Sequence, residues 1–152
     1  MRRAPGFIER SMALQWFVYA MIGAAAAGAT AVLAKVGTAG IPSNLAVTIR
    51  TAVVLVFAGV IVTSRGELAA LKGIRGNVLG SLILSGIATG VSWLAYFKAL
   101  QLAPASWVAP VDKLSLPITV LLAAVFLGEA LTWRTVSGVA LMVIGALIVA
   151  RG

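Results

Sequence analysis

Apolar residues in this chain come in unbroken blocks of about twenty rather than alternating at every second or third position. Five such blocks follow one another, at 14–34, 44–63, 77–102, 107–127 and 131–150. At about 1.5 Å per residue each is long enough to cross a hydrocarbon core of roughly 30 Å as a helix. A transmembrane barrel would need alternating segments of about ten residues, and these blocks are continuous and twice that length. The pattern predicts an all-α polytopic membrane protein: a five-span membrane domain over 14–152, preceded by a short basic tail over 1–13. Small residues at Ala24–Ala27 could mimic a signal-peptide cleavage site, but the apolar run is too long for a signal core, so it is expected to stay as the first span.

The breaks between blocks carry turn chemistry. Lys35 and the stretch Gly37–Gly40 close the first helix, and Pro42 suits the first turn of the second. The longest polar loop, Ser64–Gly76, holds Arg65, Glu67, Lys72 and Arg75. A tight turn at Ala103-Pro104-Ala105-Ser106 leads into the fourth helix, and Gly128-Glu129 separates the fourth from the fifth. Trp16, Trp107 and Trp133 stand near span ends, where indoles favour the headgroup level.

Polar residues inside the blocks fall on helix faces. Asp112, Ser115 and Thr119 share one stripe of the fourth helix, and Ser85, Thr89, Ser92 and Tyr96 share one stripe of the third. The second helix repeats the pattern with Asn44, Thr48 and Thr51; the first offers Gln15 and Tyr19, then turns small at Gly23, Ala24, Ala27 and Gly28. Stripes facing a common axis would enclose a hydrated cavity. The alternative is that each hydroxyl bonds to its own backbone and helps helices adhere. Gly76/Gly80, Gly86/Gly90 and Gly138/Gly145 are spaced for close helix contacts.

Ions sharpen the choice. Asp112 is the acidic residue that lies within a span, with Lys113 beside it and Arg50 in the second helix. A charge at bilayer depth costs roughly 2.5–3.5 kcal/mol on insertion scales, so such groups usually face an interior or a water-filled path. The second and fourth helices start on the same side, which lets Arg50 and Asp112 approach in depth. Either the three form an ion pair or triad that fixes packing, or Asp112 binds a cation or proton, or the surplus positive charge holds a carboxylate. Neighbouring helical residues point about 100° apart, which is expected to keep Asp112 and Lys113 from sharing a face. Pro110 and Pro117 free the carbonyls of Ser106 and Lys113 and predict a kink beside Asp112.

Composition changes the picture mainly by exclusion. The chain is 61% hydrophobic and 11% charged with mean hydropathy +1.08, against about a quarter charged in soluble domains. Its net charge of +8 is spread over short inter-span segments, which argues against nucleic-acid binding. There is no cysteine and no histidine, removing disulfides, thiolate chemistry and the commonest metal ligand. No catalytic motif is present, so no catalytic residue, metal or cofactor is expected. With the N-terminus inside, Arg2, Arg3, Arg10, Arg65, Lys72, Arg75 and Arg134 are cytoplasmic and Lys35, Lys98 and Arg151 lie outside: seven against three, favouring N-in, C-out. A start at Met12 would leave four against three, making dual topology accessible.

Tyr96-Phe97-Lys98-Ala99-Leu100-Gln101, Pro104-Ala105-Ser106, Ala109-Pro110, Asp112-Lys113-Leu114-Ser115 and Leu127-Gly128-Glu129 together resemble the EamA domain of the drug/metabolite transporter superfamily. The resemblance covers nearly the whole chain and is most specific in helices three to five. It implies a transporter of small metabolites or drugs, often an exporter, in a bacterial inner membrane. It would put Tyr19, Ser92, Trp93, Tyr96, Asp112 and Ser115 near a substrate path. Members usually carry two such domains in opposite orientations, and this chain has one. An odd span count inverts a following copy, so a homodimer, antiparallel in arrangement, is expected to supply the missing repeat. The competing expectation is a non-transporting membrane subunit whose ions fix helix packing or dock a partner.

Overall fold

A computed structural model of the protein describes the backbone of residues 7–151 and the side chains of 14–151. Arg2 and Arg3, and the side chains of Arg10 and Met12, on which the topology argument leans, lie outside the described residues. The elements are α1 (Phe7–Gly37), α2 (Ser43–Ser64), α3 (Gly76–Leu102), α4 (Ala105–Asp112), α5 (Ser115–Leu127) and α6 (Trp133–Arg151). A short 3₁₀ helix, Glu67–Gly73, occupies the long polar loop. Among the described residues, five spans are long and apolar enough to cross a bilayer: Leu14–Gly37, Ser43–Ser64, Gly76–Leu102, Ala105–Leu127 and Trp133–Arg151. No strand occurs among the described residues. The single fourth helix expected from the sequence is thus two helices in one span.

Local chemistry sets the ends. Pro42 and Pro104, at φ −58° and −59°, stand immediately before α2 and α4, and their carbonyls accept the first helical bonds from Ala46 and Val108. At the other end of α5, Gly128 takes φ +69°, a left-handed conformation that glycine adopts without steric cost. Its N–H and that of Glu129 both reach the Ala123 carbonyl.

α3 packs on α2, α1 and α4, while α6 packs on α4 and α5. The core is small and lies at one end of the bundle. Ala34, Ala46, Val47, Phe97, Leu100 and Val108 form one buried cluster, drawn from the end of α1, the start of α2, the end of α3 and the start of α4. Toward the opposite end none of the described residues is buried. The bundle is closed where the α1–α2 and α3–α4 connections lie and open at the side of the long polar loop.

The predicted glycine contacts are not made among the described residues. A Cβ added at Gly76, Gly80, Gly86, Gly90, Gly138 or Gly145 would meet open space. On α3 these positions precede the closed end, where helices do meet. Several striped hydroxyls also turn to their own helix: Thr48 donates to the Asn44 carbonyl, Thr51 to Val47, Thr89 to Ser85 and Thr119 to Ser115, at 2.8–2.9 Å. On α2, Thr48 and Thr51 are therefore satisfied locally, and neither is among the residues lining the cavity described below. In hydrocarbon an unpaired hydroxyl is costly, and the i−4 carbonyl is always within reach.

Candidate substrate cavity

Counting from the closed end locates the site. Thr30 is seven residues before the end of α1, Arg50 seven after the start of α2, Tyr96 six before the end of α3, and Asp112 seven after the start of α4. At 1.5 Å per residue all four lie about 10 Å from the closed end. There they surround a cavity of about 290 Å³ lined by Ala27, Thr30, Arg50, Ser92, Trp93, Tyr96, Asp112, Lys113 and Ser115. Small-molecule sites run from about 300 to 1,000 Å³, so this one sits at the lower limit.

The structure brings Ser92, Trp93, Tyr96, Asp112 and Ser115 together, with Arg50 and Lys113 beside them. Tyr19 is not among them. It is 75% exposed and belongs to a separate recess with Leu14, Gln15 and Val18. Eight residues before Ala27, it lies about 12 Å farther along α1. Residues 19, 23, 27 and 30 fall on one stripe, so the face is shared, but the same count along α1 puts Tyr19 too far from the closed end. Ala27 and Thr30 occupy the place expected for Tyr19.

Arg50 is seated by aromatic rings rather than by an acid. Its Cζ lies 4.0 Å from the Trp93 ring centroid and 5.4 Å from that of Phe97. Such cation–π contacts contribute about 0.5–2 kcal/mol depending on desolvation. Among the described residues the ion pair is Lys113 Nζ with Asp112 Oδ2 at 3.2 Å. The expectation that these neighbours would not share a face is corrected: Lys113 lies past the last residue of α4, and its flexible stem folds the ammonium back. The triad of Arg50, Asp112 and Lys113 is a shared cavity, not a closed ion cluster.

The break that frees Lys113 has a covalent cause. Pro117 has no N–H to give the Lys113 carbonyl and its ring crowds that oxygen. The carbonyl instead accepts from Leu116, at 3.0 Å, one residue short of α-helical register. Lys113 and Leu114 likewise bond three residues back, to Pro110 and Val111. Pro110 sits within α4 without interrupting it. The helix break lies directly after Asp112, and the missing Pro117 donor accounts for it.

The closed end is fastened by two side chains the sequence did not single out for this role. Lys35 Nζ donates to the carbonyls of Leu100 and of Ala103, the latter at 2.9 Å. A cation there also complements the negative end of the α3 dipole. Gln101 Nε2 donates to the carbonyls of Ile41 and Thr38 at 2.8 and 3.3 Å, tying α3 to the α1–α2 connection. The only sequence signal was a lysine in the last turn of α1, which read as an ordinary helix end.

The family model of the EamA-like transporter family matches residues 14–151, which takes in all five spans. The chain belongs to the EamA-like transporter family. It is 45% identical over 139 residues to a protein of Sinorhizobium sp named "Uncharacterized transporter in cobO 3'region". That alignment covers 91% of this chain and 99% of the relative, so the relative too is of one-domain size. No solved structure matches. As an EamA-like protein with five apolar spans, the chain is an integral membrane transporter, and the Arg50–Asp112 cavity is its candidate binding site.

Proposed function

We propose that the protein is a secondary carrier that exports small metabolites or drugs across a bacterial inner membrane, and that it works as a homodimer. The observation that carries this reading is the cavity at about 10 Å depth, where three charged side chains from α2, the end of α4 and the break after it meet Trp93 and Tyr96. A lone copy leaves that cavity poorly covered: the side chains of Lys113 and Asp112 are 53% and 34% exposed. In a bilayer such ions need water or protein against them. A second copy inserted upside down would provide the cover and the inverted repeat, since five is an odd number of spans. The one-domain size of the relative fits the same arrangement.

The competing reading, a subunit whose ions lock helices together, is disfavoured by the ion pair itself. It joins adjacent residues and therefore holds no two helices to one another. Replacing Asp112 by Asn in protein reconstituted into liposomes decides between the two. A carrier should lose saturable counterflow at least about tenfold, as when a charge-assisted contact is removed, while remaining folded and dimeric. Loss of assembly with no flux in the unmutated protein would favour the structural subunit.

A further inference from the structure

Arg50 stands on the wall between two cavities of opposite character. One is the polar cavity just described. The other, about 330 Å³, lies toward α1 and α2 and is lined chiefly by Leu33, Ala34, Ile41, Ala46, Ile49 and Phe97. Arg50 and Thr30 line both. The charge around the polar cavity is two positive groups against one negative, and Asp112 is already taken by Lys113. One cation, Arg50, is left without an acidic partner among the described residues, and rings rather than oxygens hold it. Ring faces steady a guanidinium but do not use its N–H donors, which form a fork matched to a carboxylate.

From this juxtaposition we propose that the site takes a small amphipathic organic anion: a carboxylate on the Arg50 fork, its apolar body in the recess beside Ile49 and Phe97. A cationic ligand would meet two like charges and one acid already engaged. A small hydrophilic anion would leave the aliphatic recess unused. The inference deepens the carrier reading and rests on it for the ligand's passage, not for its binding.

Calorimetric titration of the full chain in lipid nanodiscs tests it, with 3-phenylpropionate, 3-phenylpropionamide, 3-phenylpropylamine and acetate as probes. The carboxylate should bind roughly ten- to hundredfold more tightly than the amide, the range expected for hydrogen bonds to a charged group. The amine and acetate should also bind more weakly than 3-phenylpropionate. Arg50→Gln should abolish the preference for carboxylate over amide, and Arg50→Lys should restore only part of it, because an ammonium lacks the fork. Ile49→Ser, in the recess, should narrow the margin over acetate without altering that over the amide; it keeps the test decisive if Arg50→Gln does not fold. Tighter binding of the amine, equal binding of acid and amide, or no binding of any probe by the folded protein would overturn the proposal. Liposome flux separates the two readings. Carboxylate binding without saturable flux would uphold the anion site and sink the carrier, whereas counterflow of the amine alone would do the reverse.

Discussion

At the scale of single residues, the site rests on side chains chosen for reach rather than for reactivity. Lys113 needs its long stem to meet Asp112 from beyond the end of α4, and Arg50 needs its flat cation to lie against Trp93. Lys35 uses the same reach to bond two carbonyls at the end of α3. Lys35→Met keeps the apolar stem and removes those bonds. It should destabilise the protein by about 2–3 kcal/mol, since a hydrogen bond to a charged group contributes about 1.5–3; thermal unfolding in detergent measures this. Trp93→Ala should leave the fold intact and loosen Arg50 by about 0.5–2 kcal/mol, seen as a several-fold loss of ligand affinity. That Asp112 and Arg50 would share a depth was legible from counting residues inside the blocks. That Arg50 would sit on rings, and that Lys35 would turn inward, was not, because both depend on which helix lies opposite.

At the scale of elements, the informative feature is the break between α4 and α5. Hydropathy reads 107–127 as one block because oil content does not register a missing N–H. Proline does register it, but two prolines were candidates and only Pro117 interrupts the helix. Pro110 falls in an α4 that continues for two more residues, whereas Pro117 leaves the Lys113 carbonyl to a bond of shorter register. Pro117→Ala should join α4 and α5 by restoring one backbone bond, a gain of about 0.5–1.5 kcal/mol. Greater helicity by circular dichroism and a higher melting temperature are expected, with reduced flux because Asp112 and Lys113 would be turned apart. Unchanged helicity would show that tertiary packing holds the break.

For the whole molecule, the asymmetry between a closed end and an open end is the dominant feature. Without a hydrophobic drive between helices in lipid, association depends on close packing and polar bonds. Here the Phe97–Leu100 cluster and the Lys35 and Gln101 bonds supply both at one end only. The proposed second copy would cover the rest. Because the chain has no cysteine, a single Glu67→Cys variant places one reporter in the long polar loop. Labelling from one side only is expected for the full chain, whose charge bias is seven to three. Removing residues 1–11 cuts the bias to four against three and should give labelling from both sides; labelling from one side in both forms would rule out topology by charge balance.

Sequence alone determined the class, the five spans and the depth of the ions, because bilayer thickness fixes helix length and rise per residue fixes depth. It also carried the family resemblance that the match over 14–151 bears out. Tertiary structure alone decided which polar stripes face a cavity and which fold back on their own helix. It decided too that Arg50 divides a polar chamber from an apolar one. Those outcomes turn on rotation and contact between helices, and in a chain this uniformly apolar the order of residues does not record which way a helix is turned.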